Sequence, residues 1–338
     1  MTMAETIFIT GATGFIGSQV AKHAVQAGYK VRLSIRRKEQ EQNIRSWLQD
    51  HESNLEFVHI PDLTTAGAFD KALSGVQHIF HLASPLPGKG EDVHKDYVEP
   101  AVKGTLAILE EAKKHDQIKF VIVTSSILAL LPPGAMMQAP VRPRANTGER
   151  SEVNLDMDFP EGFAGHGLKY SSSKILAHQA TRDFIRNDAP NFKLVTFHPT
   201  FVIGESLIQT TAQPDGMNAV LLQSLSGTTP SIPSAFVDVK QCAEAHIKAL
   251  ERYKSLKNGT EYILSSPVGG WDEISELIKQ EYPQVPVKLD KGPFSPQDTW
   301  ELDVRPAETD LDIQWRPVKD VVRAMLNQQL ALRVSAQL

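Results

Sequence analysis

The sequence predicts an α/β protein built on a doubly wound parallel sheet, with a smaller, mixed region towards the C-terminus. Three observations carry this. Short apolar runs alternate with helix-period stretches from Ile7 to Gly204, the pattern of successive βαβ units. The first apolar run passes straight into a glycine turn and then a helical pattern, whereas from Glu205 on the alternation weakens. A chain of 338 residues, 41% hydrophobic and 22% charged, can bury a sizeable core as one large domain or two modest ones.

In order, the apolar run Ile7-Phe8-Ile9 reads as a first strand and Phe15 onward as a helix with apolar residues at Ile16, Val20, Ala24 and Ala27. Further strands are expected at Lys30–Ile35, Leu55–Ile60, Gln77–Ala83, Lys119–Val123 and Phe192–Phe197. A helix is expected through Phe69 and Leu73, and a long one from Asp92 to His115 that kinks or restarts at Glu99-Pro100. Leu131 to Lys169 has no clear period and several prolines, so it reads as a long functional loop. A helix then opens at Tyr170. Beyond Gly204, short strands are expected at Ser234–Val239 and Glu261–Leu264, with helices at Met217–Leu225, Lys240–Tyr253, Trp271–Glu281 and Val318–Leu332.

The segment Thr10-Gly11-Ala12-Thr13-Gly14-Phe15-Ile16-Gly17 carries most of the chemistry. Glycines at its turn permit unusual backbone angles, let a pyrophosphate approach the main chain and let the helix pack on its strand. The helix N-terminus supplies free N–H groups and the positive end of the dipole. This is the signature of a Rossmann dinucleotide site. At the end of the second strand an NAD site would place an acid against the ribose 2′-hydroxyl. Here the run is Ser34-Ile35-Arg36-Arg37-Lys38, so a guanidinium facing a 2′-phosphate is favoured, and with it NADP over NAD. Asp62 either meets the adenine or caps the following helix.

Thr124-Ser125-Ser126 puts hydroxyls at the carboxyl end of a buried strand, where ligands of such sheets bind. Tyr170 and Lys174 stand one helical turn apart and share a face. A phenol ordinarily titrates near 10. A neighbouring ammonium and an oxidised nicotinamide ring would both lower that value, giving a proton-transfer pair with a serine to hold the substrate oxygen. His78 and His81 fall on opposite faces of a strand and form no metal pair. Net charge is −5, which argues against nucleic acid or a membrane as the main partner. A single cysteine, Cys242, excludes an internal disulfide and makes structural zinc improbable, so no metal is expected. With no signal peptide or membrane-length apolar run, a cytoplasmic protein is the default expectation.

These motifs, with Pro61-Asp62-Leu63, His81-Leu82-Ala83-Ser84-Pro85, Pro100 to Thr105 and His198 to Gly204, resemble the extended short-chain dehydrogenase/reductase superfamily, of the NAD-dependent epimerase/dehydratase type. Within it the chain is similar to the dihydroflavonol reductase-like ketone and aldehyde reductases. The resemblance implies that Ser126, rather than Ser125, is the catalytic serine, that Tyr170 is the acid in reduction, and that Lys174 binds the nicotinamide ribose and tunes Tyr170. It further implies NADPH contacts from Gly11, Thr13, Gly14, Phe15, Ile16, Gly17, Arg36, Asp62, Leu63, Ala83, Ser84, Tyr170 and Lys174, with Pro199, Thr200, Phe201 and Val202 flanking the nicotinamide. Two positions depart from the pattern. Ala101 stands where many members carry Asn, and Ala177-His178 stands where Ala-Glu is usual.

The expected function is NADPH-dependent reduction of a hydrophobic ketone or aldehyde by a monomer or homodimer. Residues 1–204, with 234–253 returning to them, would bind the dinucleotide, and 205–233 with 254–338 would bind substrate. Met136, Met137, Phe159 and Phe163 would close the long loop over the pocket as a lid. The alternatives are a nucleotide-sugar epimerase or dehydratase with bound NAD, which the basic run at Arg36 opposes, and a dinucleotide-sensing regulator, which would not need Tyr170 and Lys174.

Overall fold

The computed structural model describes residues 5–86, 88, 90–137, 140–289 and 300–335. Seven strands form one parallel sheet: β1 (Thr6–Thr10), β2 (Lys30–Ile35), β3 (Leu55–His59), β4 (His78–His81), β5 (Phe120–Thr124), β6 (Lys193–Pro199) and β9 (Glu261–Leu264). Their spatial order is β3-β2-β1-β4-β5-β6-β9, so the direction of winding reverses between β1 and β4. In an open α/β sheet that reversal opens the ligand crevice.

The strands are apolar because both faces are covered. Ile7 and Ile9 point into one layer with Phe80, Ile122 and Phe197, packed against α1 (Phe15–Gln26) and α6 (Val239–Arg252). Phe8, between them, points into the other layer with Ile79, Val121 and Leu194, beneath α3 (Glu99–Ala112) and α4 (Gly162–Asp188). A separate apolar cluster joins the two-stranded sheet of β7 (Phe201–Ile203) and β8 (Phe236–Asp238) to α5 (Gly216–Ser226), α7 (Trp271–Glu281) and α9 (Val318–Ser335).

Several expectations need correction. No helix follows Asp62: residues through Leu73 and Val76 make successive turns, broken by Gly67 and Gly75 at φ +74° and +73°. The helix carrying Tyr170 begins at Gly162, not at Tyr170. Glycines at 162, 165 and 167 hide that start from a propensity reading. Packing fixes it instead, since a Cβ on Gly165 would lie 1.6 Å from the Pro160 carbonyl oxygen. Glu261–Leu264, grouped by sequence with the C-terminal region, is the sheet's edge strand beside β6. Two helices escaped the sequence reading, α2 (Glu39–Trp47) and α8 (Arg305–Leu311), as did strand β7. The 92–115 helix does restart as expected: a π-helical turn, Val93–Val98, precedes α3 with Pro100 in its first turn.

Candidate active site

The glycine turn between β1 and α1 shows which glycine does what. Gly11 has φ +77°, and a Cβ there would lie 2.8 Å from the Ala83 nitrogen. A Cβ on Gly17 would lie 2.1 Å from the Gly11 carbonyl oxygen, so Gly17 is required for close packing of the helix on its turn. Gly14 is the N-cap in extended conformation and has no side chain to satisfy the first N–H groups of α1, whose first turn also holds no acid. That bare N-terminus fits the phosphates of a dinucleotide. The neighbouring strand ends are tied together: the Leu82 and Ala83 N–H groups donate to Thr10 Oγ1 at 3.2 and 3.1 Å, and Thr10 Oγ1 bonds His81 Nδ1 at 2.9 Å. With two donors on the oxygen, the Thr10 hydroxyl proton goes to His81, a buried ring whose pKa burial brings down to about 3.

At the end of β2, Arg36 is exposed, but its backbone is held. The Arg36 and Arg37 N–H groups both donate to Gln40 Oε1, at 2.9 and 3.1 Å. Asp62 accepts from the Thr64 N–H and hydroxyl at 2.8 and 2.7 Å, so it closes a turn rather than capping a helix. These bonds and the Arg36 charge hold its carboxyl below the usual range.

Tyr170 and Lys174 project from α4 towards the end of β5, with the Lys174 ammonium 5.6 Å from the Tyr170 ring centre. Ser126 follows β5; its hydroxyl accepts from the Leu128 N–H at 3.2 Å and engages the Tyr170 phenol. Its carbonyl is held by His198 Nδ1 at 3.0 Å, and Ser125 is anchored through its own N–H to the Phe197 carbonyl at 2.7 Å. Burial pushes the Tyr170 phenol up to about 12, against the smaller opposing effect of Ser126. Burial also brings the Lys174 ammonium down to about 8. The expected lowering of the phenol by the ammonium is therefore not what the protein alone produces. It presents a protonated phenol at neutral pH. Thr200 spends its N–H and hydroxyl on the Leu264 carbonyl, at 3.0 and 3.3 Å, while Phe201 turns its ring towards Trp300 at 6.1 Å.

A buried charged cluster behind Lys174 was invisible in the sequence. His178, one turn beyond Lys174, bonds Glu261 on β9 through Nε2 at 3.1 Å. The same carboxylate takes Arg182 Nε at 2.5 Å and the Asn146 N–H at 2.7 Å. Burial opposes ionisation of Glu261, and the bonds from His178 and Arg182 outweigh it, so the carboxyl stays well below its usual range. The acid missing beside Ala177 thus arrives from another element, 83 residues further on. No local spacing signals such a pair.

Among the described residues no group of His, Cys, Asp or Glu is arranged to hold a metal ion, and no helix is long and apolar enough to cross a membrane. The description "NAD dependent epimerase/dehydratase family" matches residues 7–265. The chain belongs to that family. Ketoreductase sphI of Aspergillus fumigatus is 34% identical over 338 aligned residues, covering 96% of this chain and 97% of the relative. A putative NADPH-dependent methylglyoxal reductase, GRP2 of Candida albicans, is 30% identical over 315 residues, 89% of each chain. The yeast methylglyoxal/isovaleraldehyde reductase Gre2, solved with NADPH, superposes with a TM-score of 0.82 at 22% identity, over 97% of this chain and 99% of that one. That last likeness speaks to the fold alone.

Proposed function

We propose that this protein is an NADPH-dependent oxidoreductase that reduces the carbonyl of a hydrophobic ketone or aldehyde. The observation that carries the reading is the convergence of Ser126, Tyr170 and Lys174 at the crevice beside the glycine turn, with Tyr170 held as a neutral phenol. The names of the ketoreductase and of the NADPH-dependent relative support it. NADPH, when bound, supplies the hydride. Gly11 and Gly17 let the turn and α1 pack closely enough for the bare helix N-terminus at Gly14 to face its pyrophosphate, with Thr13, Phe15 and Ile16 completing the turn, Arg36 holding the 2′-phosphate and Asp62, Leu63, Ala83 and Ser84 lining the path between.

Ser126 holds the carbonyl oxygen by a hydrogen bond, Tyr170 gives its phenolic proton to that oxygen as charge develops there, and the Lys174 ammonium stabilises the phenolate left behind. A phenol raised by burial keeps its proton at pH 7 and is suited to the reductive direction. Pro199, Thr200, Phe201 and Val202 exclude water on the nicotinamide side.

The segments that follow the strand ends, Ser84–Leu86, Ile127–Leu131 and Phe201–Ile203, contain no Arg or Lys to satisfy a sugar diphosphate, which favours an aryl or alkyl carbonyl compound. We place substrate binding in 205–233 and in 254–338 apart from β9, on a dinucleotide-binding unit of 1–204 with 234–253, in a cytoplasmic monomer or homodimer. The test is an NADPH-oxidation screen across aryl ketones, ketoesters and aldehydes. Turnover abolished in Tyr170→Phe supports the reading. Tight binding of a UDP-sugar with no carbonyl reduction overturns it.

A further inference from the structure

Two fully buried histidines grip the carboxyl end of β5, one from each face of the sheet. From the α6 side, His246 Nδ1 donates to the Cys242 carbonyl at 2.7 Å, so its Nε2 accepts the Thr124 hydroxyl at 2.8 Å. From the α4 side, His198 of β6 places Nδ1 3.0 Å from the Ser126 carbonyl and Nε2 2.9 Å from the Thr196 hydroxyl. Thr196 and His198 are two apart on a strand and share that face.

The tautomer of His198 follows from its partners. A carbonyl oxygen only accepts, so the ring proton sits on Nδ1 and Nε2 takes the Thr196 proton. Burial holds the ring neutral at pH 7. His178 packs edge-on against it, with 4.5 Å between ring centres. Both nitrogens of His198 are thus spent on the protein, and it has no proton to offer a substrate.

Ser126 is held by groups of two kinds. Its carbonyl also takes the Ala129 N–H at 3.0 Å, and its hydroxyl oxygen takes the Leu128 N–H at 3.2 Å. Those two donors belong to the 3₁₀ turn Ile127–Leu130 that Ser126 itself caps, so they move with it. His198, by contrast, ties the Ser126 carbonyl to β6 across 72 residues of sequence. The Ser126 hydroxyl keeps its own proton for the Tyr170 phenol, or for the substrate oxygen that takes the place of that contact.

We propose that His198 is a positioning residue for the reaction: it fixes the Ser126 peptide from the sheet and thereby aims the Ser126 hydroxyl between Tyr170 and the substrate oxygen. This role rests on the reductase reading above. The carbonyl and the hydroxyl of Ser126 hang from one Cα, so a shift of about 1 Å in the first displaces the second, and misplacements of that size cost up to about 10²-fold in rate.

Asparagine and glutamine separate the two ring nitrogens as donors. The amide of His198→Asn stands where Nδ1 stands, whereas that of His198→Gln reaches towards the Nε2 end. The probe is the aryl ketone or ketoester that the wild-type full chain reduces fastest with NADPH. His198→Leu and His198→Gln are expected to lower kcat by about tenfold, the worth of one hydrogen bond, with the NADPH Kd unchanged by fluorescence titration. His198→Asn restores kcat towards the wild-type value. Thermal melts report folding. Wild-type kcat in a folded Leu or Gln variant overturns the proposal. So does a loss in folded His198→Asn as large as in His198→Leu, and so do equal losses of kcat and NADPH affinity, which mark a merely structural role. Ring ¹⁵N NMR of the wild type, assigned by the resonances that His198→Asn removes, decides even where the other variants do not fold: a protonated Nδ1 with a bare Nε2 is expected, and a protonated Nε2 overturns the proposal. If the wild type reduces no carbonyl compound, the reductase reading fails, and the ring tautomer still decides whether His198 holds Ser126.

Discussion

At the scale of single residues, ionisation state separates the roles. The phenol of Tyr170 is raised to about 12, so it remains the acid across the neutral range, whereas Lys174 loses its charge from about pH 8 upward. Reduction is therefore expected to hold its kcat up to about that pH and to fall above it. Tyr170→Phe should lower kcat by about 10²-fold or more at every pH while NADPH still binds. A Phe variant with near wild-type turnover would place the acid elsewhere, although His198 is locked between Ser126 and Thr196 and His166 is bonded to Tyr97. Among the described residues none hydrogen-bonds the exposed Arg36 guanidinium, whose charge is felt by Asp62. Arg36→Ala should raise the NADPH dissociation constant roughly ten- to a hundredfold and leave that of NADH almost unchanged. Equal losses for both cofactors, measured by fluorescence titration, would remove Arg36 from the 2′-phosphate site.

At the scale of elements, the glycine turn and α4 are placed by close contacts rather than by propensity. Gly17→Ala drives a methyl group into the Gly11 carbonyl, so either the helix moves or the turn does. It should cost about 1–3 kcal/mol in stability and weaken NADPH binding; a variant with wild-type Tm and Kd would show that the turn relaxes freely. The loop before α4 divides into two parts. Val141 and Leu131 are buried against Trp300, with Met136 beside them, whereas Phe163 is half exposed at the start of the helix and Phe159 half-buried. The side chain of Met137 lies outside the described residues. If the loop is a lid, shortening it between Met136 and Phe163 changes KM and substrate range with little change in NADPH affinity. Identical kinetics on every carbonyl tested would leave the loop a purely structural cover.

At the scale of the whole molecule, Glu261 links the edge strand β9 to α4 through His178 and Arg182 and to the long loop through Asn146. Its folded-state pKa is held down, so its stabilisation is fully present above the ordinary carboxylate value, near 4.3, and is lost progressively as the pH falls from there towards the depressed folded-state value. Glu261→Gln should cost about 3 kcal/mol at neutral pH, because it removes the charge that Arg182 faces and puts an amide donor where one of the two acceptor oxygens stood. It should also flatten the loss of stability between about pH 5 and pH 3. Denaturant melts across that range check both, and an unchanged slope would assign the acid sensitivity to other carboxylates.

The sequence by itself determined the first six strands of the sheet, the dinucleotide turn and the Tyr170–Lys174 pair, because each rests on local spacing, whereas the choice of Ser126 over Ser125 came from the family resemblance. Buried strands must be apolar, Gly11 must adopt a positive φ, and residues four apart on a helix must share a face. Arg36 was equally legible, as a charge where an acid would otherwise stand. Tertiary structure alone decided the rest. The start of α4 depends on Gly165 packing under Pro160, the turns after Asp62 on two left-handed glycines, and the pairing of β7 with β8 on residues about 35 positions apart. The partner of His178 comes from a strand that sequence periodicity had grouped with another region. The raised phenol of Tyr170 is likewise a product of burial, a quantity that no spacing of residues contains and that exists only once the layers have closed over the sheet.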